Sequence, residues 1–85
     1  MNLANIIFKT EDCEVPKVLS VHRESADALI TLANYIREVH EELGLGYNYP
    51  FELDMTPNEM RPDIFGFYKV PKYGIKFHIE QHFLL

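Results

Sequence analysis

Residues 24–43 read ESADALITLANYIREVHEEL, and this stretch decides the fold. Ala26, Leu29, Leu32, Ala33, Ile36, Val39 and Leu43 recur at steps of three and four, which lines one face of an α-helix. Asp27, Thr31, Asn34, Glu38 and Glu41 fall on the far face. Ser25 is placed to cap the N-terminus, and Asp27 suits the positive end of the helix dipole. Gly44 can take the left-handed conformation past the last turn, with Leu45 packing back. A helix with one apolar stripe needs a second apolar layer to bury it.

The flanking sequence supplies that layer as strands. Ala4–Thr10 alternates, with Ala4, Ile6 and Phe8 on one face and Asn5, Ile7 and Lys9 on the other. Lys17–Arg23 alternates again, and the polar run Glu11–Pro16 between them reads as the turn of a hairpin. Asp63–Val70 and Gly74–Phe83 read as a second hairpin around Pro71-Lys72-Tyr73. Two rules compete over its register. Turn chemistry favours a four-residue loop ending in a left-handed Gly74, which pairs Phe67 with His78. Burial favours a one-residue slip that pairs Phe67 with Phe77 and Phe65 with Ile79, helped by a bulge at Gly66. We take the slip, which puts Phe65 and Phe67 toward the helix and leaves Ile64, Tyr68 and Val70 on the other face.

The expected class is therefore α+β, in the order β-β-α-β-β. A four-stranded antiparallel sheet carries one long helix on one face, in a single domain over residues 1–85. The expected core is Leu29, Leu32, Ile36, Val39, Phe65, Phe67, Phe77 and Ile79. Leu45–Pro62 reads as a long aromatic loop with Tyr47, Tyr49, Phe51 and Met55. Within it, Phe51–Met55 suggests a short edge strand and Thr56-Pro57-Asn58-Glu59 a single helical turn.

Composition narrows the function classes. The chain has 85 residues, 8 Lys+Arg against 13 Asp+Glu and a net charge of −5, with 47% hydrophobic residues. That balance excludes a disordered chain and disfavours duplex nucleic acid as a partner, because phosphates are bound by clustered Lys and Arg. One cysteine, Cys13, excludes an internal disulfide, and its acidic neighbours Glu11, Asp12 and Glu14 disfavour the nucleophilic thiolate. No run approaches the ~20 apolar residues of a membrane span, and the start carries no basic leader, so the expected location is the cytoplasm.

The candidate chemistry is sparse. His78, Glu80 and His82 project to one side of the last strand, where neighbouring members could share a metal with a further ligand such as His22. The outer two sit ~13 Å apart at the backbone, so all three cannot hold one ion, and no metal or cofactor is expected. Ser20, His22 and Ser25 lack an acidic third member, and Gly44-Leu45-Gly46 lacks the lysine of a phosphate loop. His40 falls at the edge of the helix's apolar face and reads as a boundary residue. Ile64–Val70 resembles the Phe-Gly-Phe core of the RNA-recognition strand of RRM domains. The preceding Lys/Arg-Gly is absent, Val70 replaces the final aromatic, and there is one long helix where that fold needs two. The aromatics of this strand are expected in the core.

No enzyme activity is expected. The chain reads as a small regulatory or protein-binding module whose partner is a second copy of itself. The expected contact residues are Ile64, Tyr68 and Val70 on the second sheet face, with Tyr47, Tyr49 and Phe51 from the loop. Protonation of the flanking His78 and His82 would weaken that contact by like-charge repulsion. The competing explanation is that the loop covers that face within one monomer. The alternative function is an acidic inhibitor or nucleic-acid mimic of the kind phages and mobile elements encode. In it Glu38, Glu41, Glu42, Glu52, Asp54 and Glu59 stand in for phosphates.

Overall fold

In the computed structural model, which describes residues 2–84, the chain forms β1 (Asn2–Glu11), β2 (Lys17–His22), α1 (Ser25–Glu42), β3 (Ile64–Lys69) and β4 (Ile75–Leu84). The four strands make one antiparallel sheet in the order β2-β1-β4-β3. β1 and β4 are central and pair along their full length, with Ile7 opposite Ile79 and Lys9 opposite Phe77. Each ends in a strand partner on both sides, so the chain's two longest strands carry the apolar centre.

The helix buries the stripe its periodicity sets. Leu32, Ile36 and Val39 join Ile7, Ala28, Val70, Phe77 and Ile79 in one buried cluster, while Leu29 and Phe65 pack against it half-buried. The caps differ in detail from the sequence expectation. Glu24, with extended backbone and no side-chain bond, is the N-terminal cap, and Ser25 already lies inside the helix. At the other end Leu45 N–H donates to the His40 carbonyl at 2.8 Å and Gly44 N–H to the Glu41 carbonyl at 3.1 Å. Those two bonds, with Gly44 at φ 79°, are a Schellman ending, and Leu45 packs against the core as it requires.

Both register rules hold at once in the second hairpin. Near the turn, Lys69 faces Lys76 and Tyr68 faces Phe77, which keeps the four-residue loop and Gly74 at positive φ. Beyond it, Phe65 faces Ile79 and Ile64 faces Glu80, which is the slipped register. The switch is a bulge at Gly66, whose φ of 68° is the left-handed conformation of a glycine bulge. The bulge corrects three expectations. Phe67 leaves the core and is 37% exposed on the face away from the helix. Tyr68 turns to the helix side, and Val70, just past the strand, is fully buried in the core cluster. A Cβ at Gly66 would lie 3.4 Å from both Ile79 Cδ1 and Leu32 Cδ2. Gly66→Ala is thus expected to lower stability by about 1–3 kcal/mol, chiefly through the left-handed backbone. A denaturant midpoint matching wild type would remove the bulge from its role as register switch.

β2 holds a second bulge, because Ile7 faces Ser20 while Phe8 faces Val18, leaving Leu19 over to pack on the core. Residues 43–63 form no helix or strand beyond one bridge. There Asp54 N–H donates to the Phe67 carbonyl at 2.8 Å and Phe67 N–H to the Asp54 carbonyl at 3.0 Å. The expected edge strand shrinks to that bridge, and the expected turn of helix is absent. Asp54 Oδ1 takes the Thr56 amide at 2.9 Å and Asn58 Oδ1 takes those of Met60 and Arg61 at 2.8 and 3.3 Å, so side chains outcompete helical bonds.

Candidate functional site

Alternation along β1 and β4 divides the side chains between a helix face and an open face. Ile7, Phe77 and Ile79 go to the helix; Ile6, Phe8, His78, Glu80 and His82 go to the other side. β2 adds Val18 and Val21 and β3 adds Ile64 and Phe67 to that open face. Two rows of mainly apolar side chains result, Val18-Phe8-His78-Phe67 and Val21-Ile6-Glu80-Ile64, each crossing all four strands and each interrupted on β4 by a polar residue. Val18 and Val21 are 56% and 57% exposed. Of the contact residues expected from the sequence, Ile64 lies here, whereas Tyr68 and Val70 lie on the helix side.

Within the first row three rings stack across strands. His78 lies between Phe8, at 5.0 Å and 10° between planes, and Phe67, at 5.6 Å and 25°. The ring faces are turned toward one another. Phe67, which the sequence placed in the core, thereby becomes a surface residue that closes this stack.

Next to the stack is a charged cluster. Glu80 Oε2 meets His78 Nε2 at 2.9 Å, and Glu80 Oε1 meets His82 Nε2 at 3.1 Å. Burial pushes the Glu80 carboxyl up, but bonding to His78 and His82 outweighs it and holds the group below its usual range. Arg61 bonds Asp63 through both carboxylate oxygens, at 3.1 and 3.0 Å, which holds Asp63 low, and it reaches Glu80 at 3.6 Å. Asp63, Glu80 and His82 bring ligand atoms within 4.8 Å of one another. The Arg61 guanidinium bridges two of the three, Asp63 and Glu80, as a cation. His22, suggested as a further ligand, sits on β2 with β1 between it and β4 and bonds Ser20 Oγ at 2.8 Å. Asp63 and Arg61 escaped sequence reading because they precede the strand in a segment with no periodicity.

The aromatic residues of 45–62 gather elsewhere. His40 is fully buried in the last turn of α1, and its Nε2 bonds the Tyr68 hydroxyl at 2.8 Å. Tyr49 and Phe51 pack edge-on around it, at 4.9 and 5.8 Å between ring centres, and Tyr68 does so at 5.6 Å. Burial lowers the His40 pKa and raises that of Tyr68. His40 is therefore a core residue rather than a boundary one. Tyr49 and Phe51 lie on the helix side and do not cover the open face, and Tyr47 is 47% exposed. The acidic residues Glu38, Glu41, Glu42, Glu52, Asp54 and Glu59 are all exposed, the first three on α1 and the rest on 43–63. Cys13 is an exposed free thiol.

No family model, curated protein or solved structure matches this chain. No helix among the described residues is long and apolar enough to cross a membrane.

Proposed function

We propose that this domain acts by binding protein, not by catalysis, and that its partner is a second copy docked through the open sheet face. The observation that carries this reading is the pair of mainly apolar rows opposite the helix, half-buried at their centre and with Val18, Val21 and Phe67 at 56%, 57% and 37% exposure. Tyr49 and Phe51 of the segment expected to cover them pack instead around His40, on the other side of the sheet, while Arg61 reaches the open face at Glu80.

Charge placement favours a second copy over another partner. Lys69 and Lys76 form a cross-strand pair at one end of the face, while Asp63, bonded to Arg61, lies at the other. A two-fold axis crossing the strands reverses one copy along its length. The row Val18-Phe8-His78-Phe67 of each copy then meets the row Val21-Ile6-Glu80-Ile64 of the other in the middle, and the lysines of one come to the end where the Asp63 carboxylate of the other lies. Four strands at ~4.8 Å spacing and six residues at ~3.3 Å rise give a footprint of roughly 400 Å² per copy. That falls in the small, weak class of interfaces, so the dimer forms with rising concentration rather than permanently.

Sedimentation from about 1 µM to 1 mM is expected to show the mass climbing toward twice that of one chain. Val21→Glu with Phe67→Glu, both at exposed positions, keeps the fold and holds the mass at one chain. Added salt slows association but leaves the dimer standing, whereas an acidic mimic of nucleic acid would lose its target. A constant single-chain mass, or a variant that dimerises like wild type, would contradict the reading.

A further inference from the structure

We propose that His40 is a latch opened by acid: its protonation releases residues 45–55 from the end of α1, uncovering Tyr49, Phe51 and the outer edge of β3 at Phe67. The device is built from a buried imidazole and the strap laid over it. His40 has no exposed surface, its Nε2 is taken by the Tyr68 hydroxyl, and its Nδ1 is buried without any hydrogen-bond partner. In the imidazolium both ring nitrogens carry protons: the Tyr68 oxygen can accept the one on Nε2, but the one on Nδ1 has no acceptor in reach.

The groups around the ring give a cation no counter-charge. β3 contributes Tyr68, and the strap contributes Tyr49 and Phe51. The preceding turn of α1 contributes Arg37, whose guanidinium lies 5.6 Å from the centre of the Phe51 ring and repels a second positive charge. No carboxylate pairs with His40 among the described residues. The negative end of the helix dipole would favour a cation, but the Schellman bonds already satisfy the carbonyls of Glu41 and of His40 itself. An imidazolium at this place gains most by reaching water, and the strap is the cheapest part of the structure to move.

Beyond its aromatic packing the strap is held by few contacts. Leu45 and Leu53 are half-buried against the core, the Leu45 and Gly46 amides donate to the His40 carbonyl, and two backbone bonds join Asp54 to Phe67. Those two bonds report the opening directly, because both donors are amides. Releasing them bares the edge of β3, a strand edge able to accept another chain. Burial depresses the His40 pKa, in the direction the latch needs.

Amide hydrogen exchange, corrected for the intrinsic rate, is the test. An exposed imidazole binds its proton near pH ~6.5, so opening at Asp54 and Phe67 is expected to rise about tenfold between pH 7.5 and 5.5. The amides of Leu32 and Ile36 keep their protection over that range, which separates strap release from unfolding. His40→Phe keeps a ring in the cage and abolishes the rise. An equal rise in His40→Phe would overturn the latch, as would loss of protection at all sites together. Should that variant not fold, NMR titration of the wild-type His40 ring decides. Protonation in step with strap opening supports the latch. Protonation with Asp54 and Phe67 still protected means that the aromatic faces hold the cation, and ends it.

Discussion

Phe77→Ala lowers the unfolding free energy by about 3–5 kcal/mol. Phe77 is the largest fully buried side chain, on central strand β4 between Lys9 of β1 and Tyr68 of β3. Its removal opens a cavity under α1 that a sheet paired on both sides cannot close. Domains of this size hold roughly 0.05–0.15 kcal/mol per residue, so the loss is a large share of the total. The expected result is a cooperative melt at much lower temperature, or a chain already unfolded at 37 °C. A loss under about 1 kcal/mol would mean that the helix does not pack on this face of the sheet.

Asn5→Leu costs about 2–4 kcal/mol despite adding an apolar group of similar size. Asn5 is fully buried, and its side chain makes three bonds. Its amide donates to the carbonyls of His22 and Arg23 at 3.2 and 2.9 Å, and its oxygen accepts from the Gln81 amide at 3.0 Å. One residue thereby ties the exit of β2, where the chain turns into α1, to β1 and β4. Leucine leaves those groups short of partners in a closed site, at about 1–3 kcal/mol each when left unsatisfied. Urea unfolding measures the loss. A midpoint shift worth less than about 0.5 kcal/mol would show that water replaces the side chain without cost.

Asn5 also shows where sequence reading reaches its limit. The helix, the strand order along the chain and the α+β class follow from local periodicity, and they match. The inward face of β1 does not follow from it. Ala4, Ile6 and Phe8 form the more apolar side, yet Asn5, Ile7 and Lys9 face the helix. Periodicity says which residues share a face; which face meets the helix depends on what lies across the sheet. The second hairpin failed in a similar way. Each register rule was correct over part of its length, and the Gly66 bulge joined them, sending Phe67 outward and Tyr68 inward. The pairing of His40 with Tyr68 spans 28 residues, so no local pattern could place them together. By contrast, the clustering of His78, Glu80 and His82 was legible, because strand alternation alone puts them side by side.

Docking of the open sheet face on its own copy, as proposed above, is open to direct measurement. Isotope-filtered NMR on a mixture of labelled and unlabelled chains, near 1 mM, measures contacts between copies alone. Cross-peaks are expected from the methyl groups of Val18, Val21 and Ile64 in one copy to the Phe8 and Phe67 rings of the other. They should be absent in Val21→Glu with Phe67→Glu. No contacts between copies at that concentration, or contacts confined to the helix side, would contradict it.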